Sequence, residues 1–275
     1  MTETLINGRP GDSIPVTDRG FGYADGLFET IAVRGGQPRL LHRHLARLRA
    51  GCERLGIIAP LAVLAAEIER LARGRARAIL RVAITRGSGP RGYRPPADGS
   101  ALRAVTLYPA GDAPRAYWRD GVRVIRCRTP AATSPAIAGL KTLGRLEQVL
   151  ARAEWDDPAI AEGLMRNADG WIGGTRSNLF LVRQGRLYTP RLVSAGVAGV
   201  MRGLVIEQAR RLGRPAAEVA VDDAQLESAD ELFLTNSQFG IWPVRQLGGR
   251  TLSSGPLTRA LMQALADEGV EECAA

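Results

Sequence analysis

The sequence predicts an α+β fold that is rich in antiparallel hairpins, and three patterns lead to this prediction. Short apolar runs with β-branched residues are separated by hairpin-type turns such as Asn7-Gly8 and Gly35-Gly36. Other segments carry apolar residues at helical spacing, as in residues 41–52. Strands and helices do not alternate regularly, as they would in a parallel α/β sheet.

The first part of the chain is predicted to form a small α+β domain. We expect strands at residues 5–6, 28–34, 78–85 and 102–107 and helices at 41–52 and 61–71. The stretch from Tyr108 to Pro114 is short and rich in Pro and Gly, as a linker should be. We therefore predict an N-terminal domain of residues 1–108, a linker of residues 109–116 and a larger C-terminal domain of residues 117–275 that carries Lys141.

The C-terminal domain is predicted to continue the mixed pattern of hairpins and helices. We expect strands at residues 122–127, 164–167, 179–182, 187–189 and 232–235, with helices at 143–153, 200–212 and 257–265. In the first of these helices, Leu143, Leu146, Val149 and Leu150 recur at helical spacing. We expect these four side chains to face a core.

Composition limits the classes of function. The formal net charge is +9, yet the arginines are spread through every segment without interleaved aromatic residues, so a nucleic-acid-binding module is the weakest alternative. A positive charge favours anionic substrates. The three cysteines are far apart and have no metal-like spacing, which suits a reducing compartment. With no signal or membrane-spanning pattern, we expect a soluble, cytoplasmic protein without a membrane or nucleic-acid partner.

A single lysine, Lys141, is the feature that points most directly to chemistry. The sequence holds 37 lysines and arginines, and lysine occurs only at position 141, which leaves 36 arginines. Surface positions tolerate either cation, so a lysine that persists is expected where arginine cannot substitute. A guanidinium stays protonated, whereas a desolvated lysine amine can attack a carbonyl and form a Schiff base. We predict that Lys141 is a nucleophile; chance survival on a surface helix is the alternative.

Three further features could bind an anion. The turn Gly196–Arg202 opens a predicted helix, and free backbone N–H groups at a helix N-terminus suit phosphate, although an ordinary turn is the alternative. Asn236 and Ser237 end an apolar strand with amide and hydroxyl donors, where a plain turn is the alternative. Arg47 follows His44 by three positions on a predicted helix and could reach a phosphate, unless it is a surface arginine.

The loop Arg86–Tyr93 is a candidate for carboxylate binding. It follows a predicted strand and combines two arginines, three glycines and a tyrosine. Arginine can donate two parallel hydrogen bonds to a carboxylate. The loop therefore indicates an acidic ligand.

Together these segments resemble the class IV aminotransferases, a family that depends on pyridoxal 5'-phosphate (PLP) and includes branched-chain and D-amino acid aminotransferases and aminodeoxychorismate lyases. The similarity covers nearly the whole chain. The matching segments, in family order, are Asp18-Arg19-Gly20, Ala24–Thr30, His44–Leu48, Lys141, Ser177–Phe180, Gly196–Arg202 and Asn236-Ser237. Within the family, the loop 86–93 and the run Leu140–Val149, with its Arg-Leu-Glu-Gln sequence, look most like the lyases.

The resemblance implies a two-domain fold of the D-amino acid aminotransferase type, fold type IV of the PLP enzymes, and a homodimer. It implies that Lys141 holds PLP as an internal aldimine. The phosphate ligands that it implies are Arg47, the backbone amides of Val200 and Met201, and Asn236 with Ser237. The lyases convert 4-amino-4-deoxychorismate to 4-aminobenzoate and pyruvate, a step toward folate, with the lysine moving the protons.

The resemblance also implies which residues meet the substrate. The lyase substrate carries two carboxylates, and Arg86, Arg91 and Tyr93 are the candidate partners. Thr30 is a weaker catalytic candidate, because in this fold it faces the cofactor. Two alternatives remain open: an aminotransferase of the same fold acting on D- or branched-chain amino acids, and a PLP-binding relative that has lost catalysis.

At two positions the sequence departs from the family pattern. Gly173 stands where relatives have a glutamate that pairs with the pyridine nitrogen, and Gly144 stands where they have asparagine. Thr175 or Arg176 could serve the ring nitrogen instead, or the segment, which looks one residue shorter than in relatives, could be shifted by one residue. We expect these losses to disfavour transamination more than the lyase reaction, because forming an aromatic ring draws the elimination forward. Restoring glutamate at Gly173 should therefore raise aminotransferase activity more than lyase activity.

Overall fold

The computed structural model describes residues 3–97 and 99–274 and divides into two compact units. The first unit contains the described residues up to Asp112 together with Leu140–Gly144, and the second contains Ala113–Gly139 and the described residues from Arg145 onward. The predicted α+β class with antiparallel-rich sheets is confirmed. Across the described residues, no helix is both long and apolar enough to cross a bilayer.

The first unit is built on a six-stranded antiparallel sheet with three helices. The strands are β1 (Glu3–Ile6), β2 (Arg9–Pro10), β3 (Gly26–Arg34), β4 (Gln37–Pro38), β5 (Arg77–Thr85) and β6 (Leu102–Pro109), and the helices are α1 (Arg19–Tyr23), α2 (Leu41–Leu55) and α3 (Leu61–Ala72). The sheet order is β2-β1-β6-β5-β3-β4. Leu48 of α2 and Leu64 of α3 lie in one core with Ile31 and Leu80 of the sheet. Burying each such side chain contributes roughly 1.5–3 kcal/mol.

The second unit contains a larger mixed sheet. Its strands are β7 (Val122–Arg126), β8 (Ile160–Asn167), β9 (Gly170–Gly174), β10 (Asn178–Arg183), β11 (Arg186–Pro190), β12 (Ala217–Val219), β13 (Glu231–Asn236), β14 (Gly240–Leu247) and β15 (Arg250–Thr251). Its helices are α4 (Ala116–Arg119), α5 (Leu146–Arg152), α6 (Val200–Arg211), α7 (Asp223–Glu227) and α8 (Pro256–Asp267), followed by a 3-10 turn at Glu271–Ala274. The sheet order is β12-β11-β10-β13-β14-β7-β8-β9, and β15 pairs with β14. Three neighbouring pairs are parallel, namely β14 with β7, β7 with β8, and β11 with β12.

The segment that carries Lys141 differs from its prediction. The sequence assigns Lys141 to the C-terminal domain, but Leu140–Gly144 belongs to the first unit. The reason is backbone pairing: Thr142 forms a β-bridge with Leu27, and the Phe28 N–H donates to the Lys141 carbonyl at 2.9 Å. A short stretch of chain thus extends the edge of β3 from a point far along the sequence.

The prediction that α5 faces a core with its leucines is wrong. The helix begins at Leu146, three residues later than predicted, and Leu146, Val149 and Leu150 are 72%, 62% and 57% exposed. Ala151 on the opposite face is the buried residue. The spacing of apolar residues identifies one face of a helix, but it does not say whether that face packs against the core of the same chain.

Candidate active site

Lys141 is fixed to the edge of β3 in the first unit. Besides the Phe28 contact, the Leu143 N–H donates to the Gly26 carbonyl at 3.0 Å. A Cβ at Gly26 would lie 2.3 Å from the Ile84 carbonyl oxygen and 2.8 Å from a Leu143 methyl, so only glycine permits this approach. The backbone that carries the amine is therefore held by hydrogen bonds at Lys141 itself and at Leu143, two residues further on.

The amine of Lys141 rests against an aromatic face. Its Nζ lies 4.2 Å from the centre of the Phe28 ring. Side chains of residues two apart on a strand point to the same face, so Thr30 lies on the same side of β3 as Phe28. The amine of Lys141 thus lies against the face of β3 that also carries Thr30, the weaker catalytic candidate.

A buried charge cluster lies on the other face of β3, and the sequence reasoning missed most of it. Glu29 is 1% exposed and accepts hydrogen bonds from His44 Nδ1 at 2.6 Å, Arg47 Nε at 2.7 Å and Arg47 Nη2 at 2.5 Å. Burial would raise the pKa of Glu29, but the hydrogen bonds from His44 and Arg47 outweigh it and lower the pKa to about 2. Glu29 is therefore a carboxylate that orients Arg47.

His44 completes this cluster as a neutral ring. Burial lowers its pKa, and the contact with Glu29 opposes that change without reversing it. The short contact to the Glu29 carboxylate assigns the proton to Nδ1. His44 and Arg47 lie three positions apart on α2, so one face of the helix holds both partners of Glu29.

The turn before α6 has the form of an anion site in the second unit. Helix α6 begins after Gly199 without a side-chain cap, and first-turn amides such as those of Val200 and Met201 have no partner within a helix. The Ala198 N–H donates to the Gly139 carbonyl at 2.9 Å, which fixes the turn from the side. The predicted phosphate turn is therefore an ordered helix N-terminus with backbone donors.

Asn178 lies directly under this turn. Its Nδ2 donates to the Val197 carbonyl at 2.9 Å, and a Cβ at Gly199 would lie 2.0 Å from its Oδ1. The asparagine of the Ser-Asn-Leu-Phe segment thus supports the turn, and Gly199 must remain glycine to pack on it. The fit to a phosphate rests on this glycine-lined cradle and on the donors of α6.

The Asn236-Ser237 pair lies at the turn from β13 to β14. The Asn236 Oδ1 accepts from the Gln238 and Phe239 N–H groups at 2.8 and 3.1 Å, and Nδ2 contacts the Arg176 carbonyl at 3.3 Å. The side chain of Asn236 therefore shapes its own turn. Any direct contact of this pair with an anion would have to come mainly from Ser237 and from backbone amides.

The segment around Gly173 is built on a buried glutamate that the sequence reasoning did not identify. Glu162 on β8 is 1% exposed and accepts hydrogen bonds from the Thr175 hydroxyl at 2.5 Å and the Ser177 hydroxyl at 2.9 Å. A Cβ at Gly173 would lie 2.7 Å from the Ser177 carbonyl oxygen. The Thr175 hydroxyl is committed to Glu162, and Arg176 is turned toward the Trp242 ring, 5.7 Å from its centre.

Arg86 does not have the free donors that its predicted role requires. Its Nε and Nη2 form a bidentate pair with Asp25 at 2.7 and 3.0 Å, and Nη1 and Nη2 also donate to the carbonyls of Gly56 and Leu55. The residue is 9% exposed. These contacts argue against Arg86 as a substrate ligand. Arg91 and Tyr93 of the same loop are exposed, Tyr93 to 86%.

Comparison with known proteins identifies the family. The sequence pattern of the amino-transferase class IV family matches residues 26–247, most of the chain. The chain therefore belongs to the class IV aminotransferases, and the predicted resemblance is confirmed.

Similar proteins within the family include both lyases and aminotransferases. A solved structure of 4-amino-4-deoxychorismate lyase from Pseudomonas aeruginosa is 48% identical, with a TM-score of 0.94 over 97% of this chain and 99% of that one. The aminodeoxychorismate lyase of Vibrio harveyi is 33% identical over 87% of this chain and 89% of its own length. The D-alanine aminotransferase of Bacillus licheniformis is 26% identical over 99% of both chains.

Proposed function

We propose that the chain is a PLP-dependent lyase that converts 4-amino-4-deoxychorismate to 4-aminobenzoate and pyruvate, a step toward folate. The observation that carries the proposal is the 48% identity to a lyase over nearly the whole chain, combined with Lys141 as the sole lysine on an ordered edge of β3. PLP, held by Lys141, would supply an electron sink for the substrate carbon that bears the amine.

Lys141 supplies the acid–base chemistry. Its amine would remove the ring proton next to the substrate amine and return a proton as pyruvate leaves. The hydrogen bonds at the Lys141 carbonyl and the Leu143 N–H keep the backbone of Lys141 in place between these two steps. Thr30, on the Phe28 face of β3, is the second side chain that we assign to this face.

The chain's donors fit the phosphate of the cofactor. The uncapped N-terminus of α6 offers the amides of Val200 and Met201, and Asn178 holds the turn in place. In the first unit, we propose Arg47 as a further phosphate ligand, because Glu29 holds its guanidinium in one orientation. Asn236 with Ser237 completes the proposed set.

For the two substrate carboxylates we propose Arg91 and Tyr93, whose side chains are exposed on the loop after β5. Arg86 is left out because Asp25 and two carbonyl groups occupy its guanidinium. The assignment is tested by Arg91→Ala, which should raise KM for the substrate and leave the absorption of the bound cofactor unchanged.

The aminotransferase of the same fold is the second candidate, and the similarity to D-alanine aminotransferase over 99% of both chains favours it. The two candidates differ in products. A lyase releases pyruvate and 4-aminobenzoate without a keto acid, whereas an aminotransferase requires a keto acid and releases neither. Purified protein incubated with 4-amino-4-deoxychorismate should form both products in equal amounts; keto-acid-dependent amino transfer alone would contradict the lyase.

The cofactor and its lysine are tested by borohydride reduction of the protein with added PLP. We expect a visible absorption band that reduction abolishes, with the phosphopyridoxyl mass fixed on the peptide that contains Lys141. Because Lys141 is the only side-chain amine, the α-amino group is the built-in comparison for nonspecific labelling. Labelling of the α-amino group alone, or an unchanged band in Lys141→Ala, would contradict the assignment.

We also propose a homodimer. Leu146, Val149 and Leu150 form an exposed apolar face on α5, the kind of surface that a second subunit covers. Leu146→Ser should therefore lower the apparent mass in solution toward that of a monomer. Leu212→Ser, at another exposed leucine of the same unit, is the control and should leave the mass unchanged.

We propose a cytoplasmic location as well, which the cysteines support. Cys52, Cys127 and Cys273 are buried and form no disulfide. Burial raises the pKa of Cys52 to about 11 and that of Cys127 to about 12, so both thiols stay protonated. Cysteines outside any disulfide suit a reducing compartment.

A further inference from the structure

The loop that carries Arg91 and Tyr93 is held by an arginine from the N-terminal segment. Arg19 is 3% exposed, and its guanidinium donates from Nη1 to the Gly92 carbonyl at 2.8 Å and from Nη2 to the Tyr93 carbonyl at 3.2 Å. Its Nε donates to Asp25 Oδ2 at 2.9 Å. The buried guanidinium of Arg19 thus connects Gly92 and Tyr93 of the loop to the first residue of α1.

Tyr23 holds the same part of the loop from a second side. Its hydroxyl accepts the Gly92 N–H at 2.9 Å. Its ring lies 4.8 Å from the Arg19 guanidinium and makes an edge contact with the Tyr93 ring, with centres 5.6 Å apart. Both backbone groups of Gly92 are therefore bonded to side chains of α1.

The first residues of the loop are held by backbone contacts with the same N-terminal segment. The Arg19 N–H donates to the Gly87 carbonyl at 2.9 Å, and the Gly89 N–H donates to the Thr17 carbonyl at 3.2 Å. Gly87 has a φ of +87°, and a Cβ there would lie 2.0 Å from the Ser100 carbonyl oxygen. The backbone conformation at the start of the loop therefore requires glycine.

Asp25 links the clamp, which is formed by Arg19 and Tyr23, to the rest of the first unit. Its carboxylate accepts from both Arg19 and Arg86, and Arg86 also donates to the Leu55 and Gly56 carbonyls at the end of α2. Burial would raise the pKa of Asp25, but the two arginines lower it, so the carboxylate remains ionised near neutral pH. Arg86 therefore belongs to the support of the loop.

We propose that Arg19 and Tyr23 are positioning residues that hold loop 87–93 in one conformation, so that Arg91 and Tyr93 meet a substrate carboxylate without a loss of loop entropy on binding. A loop ordered in advance binds more tightly than a mobile loop with the same side chains. The inference rests on the proposed function, because it takes the lyase substrate as the ligand of the loop. It assigns roles to residues that do not touch the substrate.

The test compares Tyr23→Phe and Arg19→Lys with wild type. Tyr23→Phe removes only the acceptor of the Gly92 N–H, and Arg19→Lys keeps the charge but cannot reach three acceptors in one plane. Tyr108→Phe is the matched control, because Tyr108 is 41% exposed against 40% for Tyr23 and lies at the end of β6 far from the loop. The readouts are amide hydrogen exchange of the loop, KM and kcat, and the absorption of the bound cofactor.

For Tyr23→Phe we expect faster exchange at Gly92 and a KM that rises by about twofold to twelvefold, the range that corresponds to one lost neutral hydrogen bond. The kcat should change by less than about twofold, and the cofactor spectrum should be unchanged, because the chemistry at Lys141 is untouched. Arg19→Lys should act in the same direction with a larger rise. Tyr108→Phe should match wild type.

The proposal would be overturned by an exchange rate at Gly92 that Tyr23→Phe leaves unchanged, or by faster exchange with an unchanged KM. A loss of kcat with the cofactor band altered would also overturn it, since that pattern indicates general damage. A wild-type protein that releases no pyruvate would instead contradict the proposed function. In that case the exchange rates at Gly92 alone would test whether Arg19 and Tyr23 hold the loop in one conformation.

Discussion

Replacing Glu29 by glutamine should make the first unit less stable, and the loss should depend on pH. The pKa of Glu29 falls from 4.5 to about 2 on folding. A tenfold change in an acid's ionisation constant corresponds to about 1.4 kcal/mol, so the charged form of Glu29 contributes on the order of 3 kcal/mol to folding at neutral pH. Glu29→Gln removes that contribution and leaves Arg47 without its carboxylate, a change of the kind that typically costs about 3–5 kcal/mol.

The way in which the stability of the protein changes with pH follows from the lowered pKa of Glu29. A lowered pKa gives stability that is present above the unfolded value of 4.5 and is lost as the pH falls through the folded value of about 2. Wild-type protein should therefore lose the stabilising contribution of Glu29 as the pH falls from 4.5 to about 2. Glu29→Gln should show a flatter pH dependence over the same range, because it has no proton to bind at position 29.

The measurement is urea unfolding at several pH values, followed by far-ultraviolet circular dichroism. Tryptophan fluorescence would not report on this site, because Trp118, Trp155, Trp171 and Trp242 all belong to the second unit. Glu53→Gln on the exposed face of α2 is the matched control and should change stability by less than about 0.5 kcal/mol. If the Glu29 variant were as stable as the control at pH 7, the buried-network reasoning would be refuted.

Two further predictions concern the turn at residues 173–177. Gly173→Ala should lose about 1–3 kcal/mol of stability, since its Cβ meets the Ser177 carbonyl. Gly173→Glu has the same clash, so the alanine variant is its control. A role for the carboxylate is supported only if the glutamate variant has a higher ratio of amino transfer to pyruvate release than the alanine variant. Glu162→Gln should lose about 1–3 kcal/mol, because an amide cannot accept all the hydrogen bonds now made. It should also speed amide exchange at Thr175, whereas Glu218→Gln at a half-exposed position should leave that rate unchanged.

Much of the fold could be predicted because it is encoded in local sequence. Asn7 and Gly8 adopt φ values of 50° and 83°, as the Asn-Gly turn requires, and β1 and β2 pair across them. Strand β14 is missing from the sequence-based expectations, because Pro243 lies within it and proline normally argues against an inner strand. Strand β9 is missing because three of its five residues are glycines.

The sequence could single out a candidate site residue where one residue type carried the signal, and it could not reveal contacts whose partners are distant in sequence. Lys141 stands out by composition alone. Arg86 resembles a ligand in the sequence because its loop is rich in donors, but its partner Asp25 lies 61 residues earlier and cannot be read from the loop. Glu29 carried a usable signal, a lone acidic residue inside an apolar strand, which indicates a buried partner.

The same signal at Glu162 bears on the choice between the two reactions. A carboxylate in the apolar run of β8 must be satisfied by hydrogen bonds, and the turn after β9 supplies them through Thr175 and Ser177. That turn needs glycine at position 173, where a side chain would meet the Ser177 carbonyl. The loss of the family glutamate is therefore built into the local packing, and a single substitution cannot restore that glutamate without moving the turn. Both reactions draw electrons into the cofactor ring, but only the elimination is also drawn forward by forming an aromatic product, so this packing disfavours transamination more than the lyase reaction.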